Sequence, residues 1–166
     1  MDSKGVSPMI ATIVLIAIVF AVAAILALSL ASAPQPEVIF GGQLQLENIE
    51  NGRDVITIKH VYGDRANDAL KAVKTGTENY WDWKNLELRI NGVVVSHTAD
   101  QGIIQVVSEG KVENVDSTAV SDGDTIALVV GDKVVVQLSD NLTIGDKVLL
   151  KWVPKNQTLV EKEVTF

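Results

Sequence analysis

The sequence predicts an α+β protein in which a long N-terminal hydrophobic helix is followed by an all-β head of the immunoglobulin-like sandwich type. Two observations carry this prediction. Residues 9–32 contain no charged side chain. Beyond Pro34 and Pro36, apolar and polar residues alternate between turns that contain glycine, which is typical of half-buried strands. We therefore expect one helix and one head domain, the latter at residues 34–166.

The uncharged run is long enough to cross a lipid bilayer. A helix rises about 1.5 Å per residue, so a run of this length covers the roughly 30 Å of bilayer hydrocarbon. Apolar residues surround this helix on all sides, whereas a helix that lies on a soluble core has one apolar stripe. We expect lipid, or a bundle of similar helices, to surround it.

A cleaved secretory signal explains the run less well than a retained helix. Such signals have an apolar stretch of about 7–15 residues before a cleavage site of small residues. Residues 31–33, Ala-Ser-Ala, imitate such a site, but the run before them is longer. Lys4 precedes the run and the next basic residue is Arg53, which favours an N-terminus inside the cell and a head outside.

Short strands are predicted for nearly the whole head. Pro34 and Pro36 end the helix, because proline cannot continue it. Asn91-Gly92 is the strongest hairpin signal in the chain. Residues 66–73 are the only segment of the head predicted to form a short helix. The predicted strands are residues 44–46, 55–61, 86–90, 93–95, 103–107, 126–130, 134–138, 148–153 and 160–166.

The charge of the chain argues against a nucleic-acid partner. The chain has 14 basic and 21 acidic residues and a formal net charge of −7. Nucleic acids are bound by clustered Lys and Arg, yet the longest basic stretch, residues 71–74, holds two lysines. The chain also lacks Cys, so no disulfide framework holds the fold.

The sequence predicts no enzyme, no cofactor and no metal site. His60 and His97 are the two histidines, whereas a zinc site needs three or four converging ligands. His60 is expected to be a structural residue at a strand end. The acidic turns at residues 122–124 and 131–132 lack the spacing of an EF-hand loop. No Ser-His-acid set and no phosphate-binding loop can be assigned.

Trp81 and Trp83 are candidates for surface recognition. As alternate residues they would share one face of a strand, where aromatic rings grip sugars, surfaces or a neighbouring subunit. The alternative, which the sequence favours, is that both rings fill the sandwich interior or cover the junction between head and helix.

Asn141 and Asn156 are candidate glycosylation sites. Each begins an Asn-x-Thr pattern, completed by Thr143 and Thr158 respectively. Both patterns lie between or beside predicted strands late in the head, where we expect them to be exposed.

The residues before the hydrophobic run resemble the class III signal of archaeal type IV pilins. In this signal Lys4-Gly5 precedes residues 6–11, Val-Ser-Pro-Met-Ile-Ala, and an uninterrupted apolar helix. Bacterial pilins and many archaeal flagellins have a glutamate early in the mature helix, but residues 6–10 here contain no acid. The adhesive-pilus branch of the family is therefore the better match.

A second stretch supports the same resemblance. Residues 56–64 carry His60 before Gly63-Asp64, and residues 86–92 end in Asn-Gly. This order is similar to the strand, His-x-x-Gly-Asp turn and second strand of archaeal pilin heads.

The resemblance implies a precursor with a leader at residues 1–5. A prepilin peptidase would cut between Gly5 and Val6, next to Lys4. The helix, residues 6–33, would anchor the precursor in the cytoplasmic membrane and later form the core of an extracellular filament at the cell surface. The implied partners are other copies of the chain, the peptidase and the pilus assembly machinery, and the implied role is adhesion or cell-cell contact.

Small residues recur along the predicted helix at spacings of three or four. Lipid is as apolar as leucine, so bundling of helices depends on close packing, which small side chains permit. The alternative is a single alanine-rich anchor in which this spacing has no role. The residues predicted to pack in the filament core are Ile10, Ile13, Ala17, Phe20, Ala21, Ala24, Ala27 and Ala31.

Two other functions fit the same sequence. The first is a monomeric, membrane-anchored extracellular β-sandwich that binds a ligand or another surface protein. The second is a minor or priming pilin, which would share the N-terminus but be present in few copies. The abundance of the chain in sheared surface filaments would distinguish these alternatives from a major pilin.

Overall fold

The computed structural model describes residues 8–31 and 40–165, and within the helix it describes the side chains of residues 10–25. The chain divides into two compact units, Met1–Glu37 and Val38–Phe166. The first unit contains the helix and the second contains every strand of the described chain.

Helix α1 is Pro8–Ala31. Pro8 occupies its first position, where the missing N–H needs no partner and the fixed backbone angle suits the first turn. The side chains of residues 10–25 are all exposed. Among the described residues, there is no helix with both the length and the apolar character needed to cross a membrane.

The head is mostly β and contains two sheets. Its strands are β1 (Gln43–Glu47), β2 (Val55–Tyr62), β3 (Ala66–Thr75), β4 (Glu78–Trp83), β5 (Leu86–Ile90), β6 (Val93–Val94), β7 (Gly102–Ser108), β8 (Lys111–Val112), β9 (Thr125–Leu128), β10 (Lys133–Gln137), β11 (Lys147–Trp152) and β12 (Gln157–Glu163). A single 3-10 turn, Val153–Lys155, joins β11 to β12.

The two sheets enclose one hydrophobic core. The larger sheet has the order β1-β2-β10-β7-β4-β3-β9, with β8 paired to β7, and the smaller has the order β12-β11-β5-β6. Ile58 and Val134 of the larger sheet and Leu88 and Leu150 of the smaller sheet belong to the same buried cluster. Alternate residues of β1, β10 and β11 are buried, because one face of each sheet covers this core.

One pair of sheet edges is held together by a lysine. Edge strand β1 of the larger sheet lies beside edge strand β12 of the smaller sheet. The Lys162 ammonium group donates a hydrogen bond of 2.8 Å to the Leu46 carbonyl. A lysine on an edge strand opposes pairing with a foreign strand, so this side of the head is protected.

The strand predictions agree with the structure in most places, but the predicted short helix at residues 66–73 is wrong. This segment is strand β3, which pairs with β4 on one side and β9 on the other. Ala69, Leu70 and Ala72 are buried in the core. Alanine, leucine and lysine favour a helix locally, but pairing on both sides and burial outweigh this modest preference. Strands β4 and β8 were not predicted as separate strands.

Candidate functional site

The predicted cleavage residues lie outside the described part of the chain. Lys4, Gly5 and Val6 all precede Pro8, the first residue of α1. The cleavage prediction therefore stays a prediction.

The predicted packing residues of α1 are exposed wherever the structure describes their side chains. This holds for Ile10, Ile13, Ala17, Phe20, Ala21 and Ala24. Phe20 has 72% of its surface exposed, the largest fraction among the exposed large hydrophobics. Ala27 and Ala31 belong to the helix, but their side chains lie outside the described set. No described side chain of α1 is buried, so this helix offers apolar surface in every direction.

Both predicted glycosylation sites are exposed, but their turns differ. Asn141 lies in the turn between β10 and β11. In that turn the Thr143 N–H and hydroxyl both donate to the Asp146 carboxylate, at 2.7 and 3.0 Å. Asn156 caps the 3-10 turn in a left-handed conformation, with φ of 51°. Its side-chain oxygen accepts a hydrogen bond from Lys151.

Both candidate recognition tryptophans point their polar groups into the head. Trp81 is buried, with 7% of its surface exposed, and Trp83 is partly buried against the same core. The Trp81 indole N–H donates to the Glu113 carbonyl at 3.0 Å, and that of Trp83 donates to the Val95 carbonyl at 2.6 Å. This placement favours the alternative in which the rings fill the interior. Trp81 is unsuited to surface recognition because its ring lies in the core.

His60 lies in the core beside the start of the head. Its ring centroid is 5.9 Å from that of Phe40, which in turn stacks on Trp152 at 5.2 Å. Both ring nitrogens of His60 are buried without a hydrogen-bond partner in the described chain. The ring packs among aromatic side chains, as expected for a structural residue, and burial of its two nitrogens without partners costs free energy.

The structure shows why the His-x-x-Gly-Asp turn has a glycine at position 63. Its φ is 97°, which favours glycine. A Cβ atom built on Gly63 would lie 2.5 Å from the Gly41 carbonyl oxygen, closer than real Cβ atoms come. Glycine at this position lets the end of β2 pass against the chain that enters β1.

Asp132, in one of the predicted acidic turns, is used inside the fold. Its buried carboxylate accepts hydrogen bonds from the Ser108 hydroxyl at 3.0 Å and from the Glu109 and Val129 N–H groups, both at 2.8 Å. These donors occupy the oxygens that a cation would need. In the described part of the chain, no group of three His, Asp or Glu side chains is arranged to hold a metal ion.

Two further aspartates accept hydrogen bonds at the surface of the head and have perturbed pKa values, Asp146 in a turn and Asp68 within β3. Hydrogen bonds from the Asn91 amide and from Thr143 lower the pKa of Asp146 below its usual value. Hydrogen bonds from the Thr125 hydroxyl and from Lys84 likewise lower the pKa of Asp68. Both carboxylates therefore accept these hydrogen bonds best in the ionised form.

One groove of the head involves Tyr80, a residue that was not among the predicted site residues. Tyr80 lies on the opposite face of β4 from Trp81 and Trp83, and its ring stacks on His97 with centroids 3.6 Å apart. The two rings border a groove of about 530 Å³. The alternation of residues 80–83 was the available signal, since it places Tyr80 outside whenever Trp81 is inside.

Comparison with protein families and with curated proteins finds no match for this chain. The likeness to archaeal pilins therefore depends on the residues quoted above.

Proposed function

We propose that this chain is the subunit of an archaeal type IV pilus-like surface filament that polymerises through its N-terminal hydrophobic helix and serves adhesion or cell-cell contact. In this proposal the head is an immunoglobulin-like sandwich outside the filament core. The precursor is inserted in the cytoplasmic membrane and loses its leader after Gly5. The proposal draws on the whole uncharged run at residues 9–32, of which the structure describes side chains 10–25.

The exposure of α1 is the observation that carries the proposal. Fully burying a large aliphatic or aromatic side chain is worth about 1.5–3 kcal/mol. A continuous apolar surface of this size on a monomer marks a site where other molecules bind. The exposed large residues of α1 are Ile10, Ile13, Val14, Leu15, Ile16, Ile18, Val19, Phe20, Val22 and Ile25.

Neighbouring helices of the same kind can pack against this apolar surface more closely than lipid does. Transfer from lipid to a bundle gains little hydrophobic free energy, so the gain must come from close contact. Ala17, Ala21 and Ala24 follow one another at spacings of four and three, which places them on one side of the helix. Their small side chains let a second backbone approach, while the branched residues around them fill the space between helices.

The head supports a role outside this bundle. It has its own core, built from residues of both sheets, and does not need the helix to bury its apolar strands. A head displayed at the surface of a filament presents Asn141 and Asn156 to solvent for glycosylation. Repetition of one heterologous contact from subunit to subunit would generate a helical fibre.

The proposal is tested on filaments sheared from the surface of cells that produce the protein. Mass spectrometry would give the N-terminal residue of this chain and its molar share of the filament. We expect Val6 as the first residue and this chain as the main component. Recovery of the chain only from detergent extracts of the membrane, as a monomer and without fibres, would contradict the proposal and favour a tethered binding protein. Val6 at a small molar share would instead identify a minor pilin.

A further inference from the structure

The groove beside Tyr80 exists because two neighbouring strands separate. Strands β4 and β7 are paired at a single position, Trp81 with Ile103. Beyond that pair the segment at residues 112–115 fills the gap, and the Trp81 indole N–H holds it through the Glu113 carbonyl. Buried Val115 and Ile103 lie beneath the opening. The result is a groove with a fixed floor, open at the surface of the head.

A β-bulge turns one wall of the groove outward. Val135 of β10 pairs with Gln105 and Val136 pairs with Ile103, so Ile104 is an extra residue in β7. Bulges of this kind redirect a side chain and are frequent next to functional sites. Ile104 has 61% of its surface exposed, as has Val112 on the facing segment. Two large aliphatic side chains therefore stand in solvent at the rim of the same groove.

The aromatic wall is held in place from behind. His97 stacks on Tyr80 with an angle of 11° between the rings. His97 also lies close to Gly102, where an added Cβ would be 2.7 Å from its Nδ1 atom, and its Nε2 atom is 3.8 Å from the Glu78 carboxylate. Glycine is favoured at position 102 by this close approach to His97 and also by its φ of 142°. His97 therefore covers one face of the Tyr80 ring and orders it, and the rest of the ring borders the groove.

The polar groups at the groove are amides, the Tyr80 phenol, His97 and the Glu113 carboxylate. Among the described residues that line it, none is Lys or Arg. No side-chain hydrogen bond of the described chain engages the Tyr80 hydroxyl or the Gln105 amide. The Asn79 amide group is fixed by donation to Asp116 at 2.8 Å, which leaves its oxygen for an acceptor role. Without a cation the groove does not suit a phosphate or a nucleic acid.

From this geometry we propose that the groove binds a neutral carbohydrate. A sugar ring has an apolar face, which suits the Tyr80 ring and the Ile104 and Val112 side chains. Its hydroxyl groups both donate and accept hydrogen bonds, which suits the amides and the phenol. The ligand is either a glycan carried by a second copy of this chain or a glycan on a foreign surface. The proposal does not depend on filament formation.

Saturation-transfer NMR on the full chain tests the proposal. The chain is held in micelles of a polyoxyethylene detergent, because detergents with sugar head groups would compete for the groove. Maltotriose, chitotriose and mannotriose serve as separate probes. We expect signal transfer to at least one of them, strongest at protons of one sugar face.

Three variants localise the binding. Tyr80→Ala removes the stacking surface and should weaken binding by at least about tenfold. Because this change also disturbs the packing of His97, Ile104→Lys provides an independent test at an exposed residue outside the core. Val93→Lys is the matched control, since Val93 is 71% exposed and lies outside this groove. It should bind as the wild type does.

A second arm distinguishes the two sources of the sugar. The chain purified from the organism that produces it is immobilised, either with its glycans or as the Asn141→Gln/Asn156→Gln double variant. If the immobilised chain captures a second copy, and this capture is lost without the glycans or with Tyr80→Ala, the ligand is the neighbour's glycan. Binding of free oligosaccharides without such capture identifies a foreign glycan. If no probe and no glycosylated copy binds, or if Tyr80→Ala and Ile104→Lys both bind as the wild type does, the proposal is overturned.

Discussion

The helix and the head differ in how they satisfy their apolar side chains. In the head, Leu46, Ile58 and Leu88 are fully buried within one core that both sheets share. In α1 every described side chain, at residues 10–25, is exposed. The head therefore has its own source of stability, whereas the described side chains of the helix are left uncovered by the chain. The same property, apolar character, has opposite consequences in the two regions.

The largest expected effect is the loss of assembly when a charge enters the helix. A lysine at the centre of an apolar helix costs about 2.5–3.5 kcal/mol when the helix is surrounded by hydrocarbon. Phe20→Lys repeats this cost in every subunit, so we expect no filaments in the sheared fraction, measured by electron microscopy and immunoblotting. Phe20→Leu is the matched control and should assemble. Normal filament yield from Phe20→Lys would show that this helix is not buried on assembly.

A substitution in the core should affect the head alone. Leu88→Ala removes a fully buried side chain, and such changes cost about 2–5 kcal/mol of unfolding free energy. We expect a clear drop in the thermal midpoint of the head, followed by circular dichroism of its β signal. Val93→Ala, at an exposed position, should stay within about 0.5 kcal/mol of the wild type. Phe20→Lys should leave the midpoint unchanged, and a shift as large as that of Leu88→Ala would contradict the separation of the two regions.

Sequence patterns predicted the local features of the head better than the distant ones. Most strands followed from alternation between glycine turns, as at residues 86–90 and 134–138, because each strand shows its own buried face. Strand β3 was missed because its alanine, leucine and lysine residues favour a helix locally. Its pairing with β4 and β9 and its burial outweigh this preference, and neither can be read from residues 66–73 themselves.

The candidate groove was beyond sequence reasoning for a related reason. It depends on the separation of β4 from β7 and on the segment at residues 112–115 that enters the gap. The aromatic cluster at residues 80–83 was noticed, but the roles within it were assigned to the tryptophans. The structure uses Trp81 in the core and leaves Tyr80 at the surface.

A buried carboxylate offers a finer test of how the head stabilises itself. Asp132→Ala removes the acceptor for the Ser108 hydroxyl and for two backbone N–H groups. Hydrogen bonds to a charged group contribute about 1.5–3 kcal/mol, so we expect a loss of that order in urea unfolding. Asp140→Ala, at an exposed aspartate in the next turn, between β10 and β11, should have little effect. Equal stability of the two variants would show that the Asp132 hydrogen bonds are dispensable.

The smallest effect is expected in acid. The pKa of Asp146 is lowered in the folded head, chiefly by the Asn91 hydrogen bond, so its contribution is complete above the ordinary aspartate pKa of about 3.9. As pH falls through the lowered pKa, the contribution is lost. Asp146→Asn should therefore lose less stability than the wild type on going from about pH 4 to pH 2. Parallel acid profiles of the two proteins would show that Asp146 does not contribute to the acid response.

Cross-linking within filaments tests most directly whether copies of the helix cover one another. The chain has no Cys, so Ala17→Cys, Phe20→Cys, Ala21→Cys and Ala24→Cys each introduce a single thiol. Sheared filaments of each variant are treated with a short bismaleimide and separated by denaturing electrophoresis. We predict covalent dimers from at least one of these helix positions, at filament concentrations where the detergent-dispersed chain gives only monomer. Monomer from every helix position in filaments would contradict the account.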